Sequence, residues 1–202
     1  MLHLIEAAGW PIVLLLVASV VGLAIILERL IVLRAARVVP RGLLQQVLTE
    51  VQTQGVSASL IETLENGPPL GRILAAGLRN QQATREAMKD AIEEAGRAVV
   101  VELERSLSML GTIATISPLL GLFGTVVGMI ILFGSETPTG SSPAVLAQGI
   151  SVALYNTAYG LVVAVPSMIF YRMFRARIDV LAVEMEQQAL KLVELLQGQR
   201  RS

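Results

Sequence analysis

The chain has 202 residues, 53% of them hydrophobic, and balances sixteen Lys and Arg against sixteen Asp and Glu. Zero net charge gives no long-range field for nucleic acid, and the absence of cysteine excludes disulfides, thiolate metal sites and cysteine nucleophiles. The single histidine, His3, has no ligand-type neighbours, so neither a metal nor another cofactor is expected.

The apolar residues are concentrated in three charge-free stretches, residues 7–27, 106–135 and 137–171. Each reaches the ~20 residues a helix needs to cross the hydrocarbon core. All sixteen basic residues fall in 29–105 or after 171. Basic loops stay on the cytoplasmic face, so the N-terminus is expected outside and the C-terminus inside. The fold class expected is all-α: a polytopic membrane protein with three transmembrane helices, the second and third extended into long cytoplasmic helices.

Residues 1–9 form an outer, periplasmic segment in this reading. Trp10 supplies an interfacial aromatic anchor, and Pro11 suits a first helical turn. The first span is placed at 10–33. It lacks a basic leader and ends in Glu28-Arg29 rather than a small-residue cleavage site, so it reads as a retained anchor and not a secretory signal. Arg37-Val38-Val39-Pro40-Arg41 is expected to break the helix.

Residues 34–105 read as a cytoplasmic helical region. Leu43, Leu44, Val47, Leu48 and Val51 follow helical spacing. Ser59-Leu60-Ile61-Glu62 has the capping-box pattern, and Asn66-Gly67-Pro68-Pro69 is a stop. A helix starting between Pro69 and Thr84 then runs unbroken into the second span, 106–134. From Thr84 to Phe133 it would be about 75 Å long, roughly twice the bilayer core. Met88, Ala91, Ile92, Ala95, Val99, Leu103 and Leu107 line one face. An outer loop, 135–144, leads to the third span, 145–171. The C-terminal cytoplasmic helix, 172–202, carries a stripe of Ile178, Leu181, Ala182, Met185, Ala189, Leu192, Val193 and Leu196. A three-span monomer has little interior for these stripes, so a homo-oligomer is expected. Arg34–Arg41 and Arg172–Arg177 are placed to meet anionic lipid head groups.

The second span contains Ser117-Pro118-Leu119-Leu120-Gly121-Leu122-Phe123-Gly124-Thr125-Val126-Val127-Gly128-Met129. Gly121, Gly124 and Gly128 let helix backbones approach closely. Pro118 frees a backbone carbonyl, that of Ala114, which Thr115 or Ser117 could satisfy. In the third span Gly149, Ala153, Asn156, Thr157, Gly160 and Ala164 form a small and polar stripe, with Ile150, Leu154, Leu161 and Val165 opposite and Pro166 as a second kink. Asn156 is costly in hydrocarbon without a partner, so it faces protein or water, either as helix-to-helix glue or in a pathway. No acidic or basic residue lies within the three charge-free stretches. An ion path would therefore take its titrating group from another subunit. With no His partner, paired aspartates or metal cluster, an intramembrane enzyme is not expected.

These two motifs, in this order and with this topology, resemble the MotA/TolQ/ExbB proton-channel family, most closely its ExbB/TolQ branch. The resemblance implies a pentamer around two copies of a single-span ExbD/TolR-type partner whose intramembrane aspartate supplies the missing charge. It maps the ion path onto Thr125 and Thr157; Asn156, read here as a further candidate for the path, stands where that branch usually has a small residue. Gly121, Gly124, Gly128, Ala153 and Gly160 would pack the helices. It also implies a bacterial inner-membrane location and a motor, driven by ion-motive force, that energises envelope or outer-membrane transport. One departure stands out: Val152 occupies the position of the branch's third-span glutamate. A non-conducting scaffold, or a stator for a motility machine, is the alternative.

Overall fold

The computed structural model describes residues 10–134 and 143–199. Residues 1–9, His3 among them, and most of the loop expected at 135–144 lie outside the described residues, as do the last three residues. The described residues are helices joined by short turns, with no strand among them. The seven helices among them are α1 (Pro11–Val32), α2 (Ala35–Val38), α3 (Leu43–Gln54), α4 (Ala58–Glu65), α5 (Pro69–Arg79), α6 (Arg85–Gly134) and α7 (Pro143–Gln199). Three of them, α1, α6 and α7, are long and apolar enough to cross a membrane. The chain divides into two compact units, Met1–Glu28 with Ser106–Met173, and Arg29–Arg105 with Phe174–Ser202.

In the second unit, local signals set each helix end. Gly42 opens α3 and Gly55 closes it, both at positive φ, where a side chain would be strained. Ser57 caps α4, its hydroxyl accepting from the Leu60 amide at 3.1 Å. The capping pattern expected at Ser59 therefore sits two residues too late, and Ser59 instead shares a hydrogen bond with the Ser57 hydroxyl. Ser57→Ala should cost this unit about 0.5–2 kcal/mol, read as a lowered thermal midpoint with unchanged helicity. Pro69 begins α5, where a missing N–H costs nothing. Thr84 accepts from the Ala87 amide and starts α6. The apolar stretch 70–78 is thus a helix of its own and not the beginning of α6.

The stripes expected to need other copies are buried within the chain. Met88, Ile92, Val99 and Leu103 of α6 and Ile178, Leu181, Met185, Ala189 and Leu192 of α7 are at most 5% exposed. The interior is completed by α5, whose Leu70, Ile73, Leu74, Ala75 and Leu78 are also buried. A Cβ added to Gly77 of α5 would stand 3.0 Å from Ile92 and 3.3 Å from Leu192, so the three helices meet there. The sequence reading lacked α5 as a third wall, and so assigned this burial to oligomerisation.

Arg29 is 6% exposed, and its Nη1 donates to the Leu103 carbonyl of α6 at 2.9 Å. A buried guanidinium must be hydrogen-bonded to offset its desolvation. The nearby ion pairs Arg72–Glu102 (2.5 Å) and Arg175–Glu104 (3.6 Å) are more exposed, and each contributes little.

In the first unit α1 packs at Gly22, where a Cβ would meet Ser167 Oγ at 3.5 Å and Ile113 at 3.6 Å. Trp10 sits edge-on to Phe123 with ring centroids 5.8 Å apart. The outward side of α1, including Val13, Val17, Val20, Leu23 and Leu27, is apolar and exposed, as suits a lipid-facing surface.

Candidate functional site

Within the first unit α6 and α7 run antiparallel, and their small residues interlock. Going down α6 from Gly128 to Ser117, the facing residues on α7 rise from Ala153 through Asn156 and Thr157 to Gly160. A Cβ on Gly121 would lie 2.7 Å from the Asn156 carbonyl oxygen and 3.0 Å from Thr157 Cα. One on Gly160 would lie 2.6 Å from the Ser117 carbonyl oxygen and 3.1 Å from Gly121 Cα. These neighbours are backbone atoms, so each glycine is required by the closeness of the other helix. Gly128 is less constrained, since its Cβ would meet that of Ala153 at 3.2 Å.

Gly124 has a different neighbour. A Cβ there would fall 2.8 Å from Asn156 Cγ and 3.0 Å from its Nδ2. The carboxamide fills the hollow that Gly124 leaves, and Asn156 is 0% exposed. Its side chain is therefore enclosed in the helix contact. The opposite side of α7 is exposed, with Ile150, Leu154, Leu161 and Val165 between 39% and 56%.

At the edge of this contact the two threonines meet. Thr125 Oγ1 and Thr157 Oγ1 are 2.5 Å apart, and both residues are only partly buried. Thr125 Oγ1 also lies 3.0 Å from the Ala153 carbonyl oxygen and 3.2 Å from that of Gly121. Each hydroxyl has one proton to donate and two lone pairs. The pair therefore has more acceptors in reach than protons, and either oxygen can donate within the pair. Rotation of the O–H about the Cβ–Oγ1 bond exchanges one acceptor for another while the oxygen stays in place. That arrangement can pass hydrogen bonds to water or a carboxylate while carrying no fixed charge.

Pro118 and Pro166 both lie inside their helices. The hydroxyls suggested for the carbonyl freed by Pro118 go elsewhere. Ser117 Oγ donates to Ile113 O at 2.7 Å, and Thr115 Oγ1 lies 3.1 Å from Gly111 O and 3.0 Å from Thr112 O. Each reaches back one turn along its own helix, and for neither is the i−4 carbonyl that of Ala114. Ser167, beside Pro166, is buried and donates to Val163 O at 2.8 Å in the same way. Val152 is half-buried.

Sequence reasoning missed two contacts in this unit. Gly22 seats α1 on Ser167, and Gly111 faces the ring of Tyr171, where a Cβ would come within 3.0 Å. An isolated glycine in an apolar helix was the only signal for either.

Similarity to known proteins follows the same segments. The profile of the MotA/TolQ/ExbB proton channel family matches residues 65–187. The biopolymer transport protein ExbB-like 3 of Synechocystis sp. is 33% identical over 175 residues, covering 84% of this chain and 82% of that one. The biopolymer transport protein exbB1 of Vibrio cholerae is 35% identical over 165 residues, 79% of this chain and 71% of the relative. The Tol-Pal system protein TolQ of Pseudomonas aeruginosa is 44% identical over 81 residues, 40% of this chain and 35% of that protein. The matched region takes in all of α6, α7 as far as residue 187 and the crossing at Thr125 and Thr157, and the chain belongs to the MotA/TolQ/ExbB proton channel family.

Proposed function

We propose that this chain is the channel-forming stator subunit of an inner-membrane motor driven by ion-motive force, in which a single-span ExbD/TolR-type partner supplies the intramembrane acid. The observation that carries the reading is the Thr125–Thr157 hydroxyl pair, 2.5 Å apart and partly open, on two membrane-length helices whose apolar stretches hold no acidic or basic residue. An ion pathway needs a titrating group, and here it must come from a second polypeptide. Thr125 and Thr157 carry the hydrogen-bonded path. Asn156 supports it from inside the helix contact, and Gly121, Gly124, Gly128, Ala153 and Gly160 hold the two helices at the required spacing. Five copies surround two copies of the partner, the N-terminus lies outside, and the load is envelope or outer-membrane transport. The names of the relatives, biopolymer transport and Tol-Pal, support that last assignment.

Native mass spectrometry of the detergent-extracted chain, alone and with a co-expressed one-span protein encoded beside it, tests the assembly. Five copies taking up two partner copies are expected. An assembly that never takes up the partner would contradict the proposal. It would favour a non-conducting scaffold, the reading that Val152 supports.

A further inference from the structure

Among the described residues, four hydroxyls of α7 have no hydrogen-bond partner, those of Ser151, Tyr155, Tyr159 and, next to Arg172, Tyr171. Ser151, Tyr155 and Tyr159 recur every four residues and so follow one side of the helix. Ser151 and Tyr155 are exposed, Tyr155 by 50%, and Tyr159 is half-buried. No hydrogen bond joins their hydroxyls to any described residue. By contrast, the hydroxyls of Thr112, Thr115, Ser117, Thr125, Thr157 and Ser167 are all engaged. Ser151 can turn back to a carbonyl of its own helix. A tyrosine oxygen, carried on the far side of its ring, cannot.

Head groups do not supply the partner either. Tyr155 stands twelve residues after Pro143 and seventeen before Arg172, about 18 Å and 25 Å along the helix. Both distances exceed the reach of a tyrosine, so its hydroxyl sits at mid-span, where hydrocarbon offers no acceptor. The proposed one-span partner is also out of reach. Thr157 is two residues beyond Tyr155, about 160° around α7, so a helix seated against the threonine pair leaves the tyrosine face uncovered. Ala158, Val162 and Ile169 continue that face, with Val162 66% and Ile169 60% exposed. Two aromatic rings with polar tips set among aliphatic side chains suit a dry protein contact better than a wetted channel wall.

We infer that the Ser151–Tyr155–Tyr159 face of α7 is the contact surface for a second copy of this chain, with the tyrosine hydroxyls donating to backbone or hydroxyl oxygens of the neighbouring copy. The inference rests on the homo-oligomer proposed above and assigns it a surface. Hydroxyls of this kind guide helix association in membranes, where apolar burial gives no driving force.

The test combines a Tyr155→Phe/Tyr159→Phe double variant, which keeps both rings, with a Tyr155→Cys variant in this cysteine-free chain. Native mass spectrometry over a dilution series should show the double variant dissociating at a concentration at least tenfold higher than the unaltered chain, with helicity and thermal midpoint unchanged. A water-soluble maleimide should leave the introduced thiol untouched in the intact assembly and label it in dissociated monomer. Equal dissociation of the double variant and the unaltered chain overturns the assignment. So does labelling in the intact assembly, which would make the face a water-lined wall. An unaltered chain that is monomeric at every concentration contradicts the homo-oligomer itself, a separate failure.

Discussion

Thr157→Val, and separately Thr125→Val, will reduce energised transport in cells at least tenfold while the complex still assembles. Valine keeps the shape of threonine, so the helix contact at Ala153 and Gly121 is retained. What disappears is one oxygen of the 2.5 Å pair and, in Thr125→Val alone, the link to the Ala153 carbonyl. The remaining hydroxyl can still bond its own helix, so neither variant strands a buried polar group or unfolds the chain. Thr157→Ser, which keeps the oxygen, should retain most of the activity. Transport assayed beside native mass spectra separates loss of the path from loss of the assembly. Normal transport in both valine variants would remove the threonines from the ion path.

Gly160→Ala will have the largest effect on stability. The added methyl would need space 2.6 Å from the Ser117 carbonyl oxygen and 3.1 Å from Gly121 Cα. Neither neighbour is a flexible side-chain end, so the helices must part. Overpacking of this kind costs about 1–3 kcal/mol, and it also opens the Thr125–Thr157 pair. The expected result is a lowered thermal midpoint in detergent together with lost transport. Gly128→Ala is the comparison, because its new methyl would meet only the Ala153 methyl, at 3.2 Å, and a shift of a few tenths of an ångström relieves it. Equal behaviour of the two variants would mean that the close approach at Gly160 does not hold the helices.

Much of this was legible in the sequence because helical periodicity dominates in a chain without strands. The stripe from Met88 to Leu107 and the stripe from Ile178 to Leu196 read correctly from spacing alone, and their members are buried or half-buried. The small-residue stripe of α7 likewise faces α6. What covers the first two stripes was not legible. The stretch 70–78 carries its own apolar face, and only the three-dimensional meeting of Gly77, Ile92 and Leu192 reveals it as a wall of the same core. The cap of α4 was misplaced because Ser57 and Ser59 stand two residues apart at the helix start, and only backbone geometry shows that Ser57 is the cap and Ser59 already lies inside the first turn.

The candidate site divides along the same line. Glycine spacing announces close packing, but it cannot say that Gly124 receives the Asn156 side chain while Gly121 receives backbone. Asn156 was open to two readings from sequence, and its complete enclosure puts its side chain in the contact between helices. Arg29 read from the sequence only as a charge at the end of the first apolar span. Its burial against the Leu103 carbonyl depends on a neighbour 74 positions away, which no local pattern encodes.

The central claim is that ions move past the Thr125–Thr157 pair. The most direct measurement is proton entry into vesicles holding the purified complex of this chain with its one-span partner, followed with an enclosed pH-sensitive dye under an imposed gradient. Acidification is expected with the unaltered chain and at least tenfold slower acidification with Thr157→Val at equal protein content. Identical rates from the two, with the complex intact in both, would contradict the account.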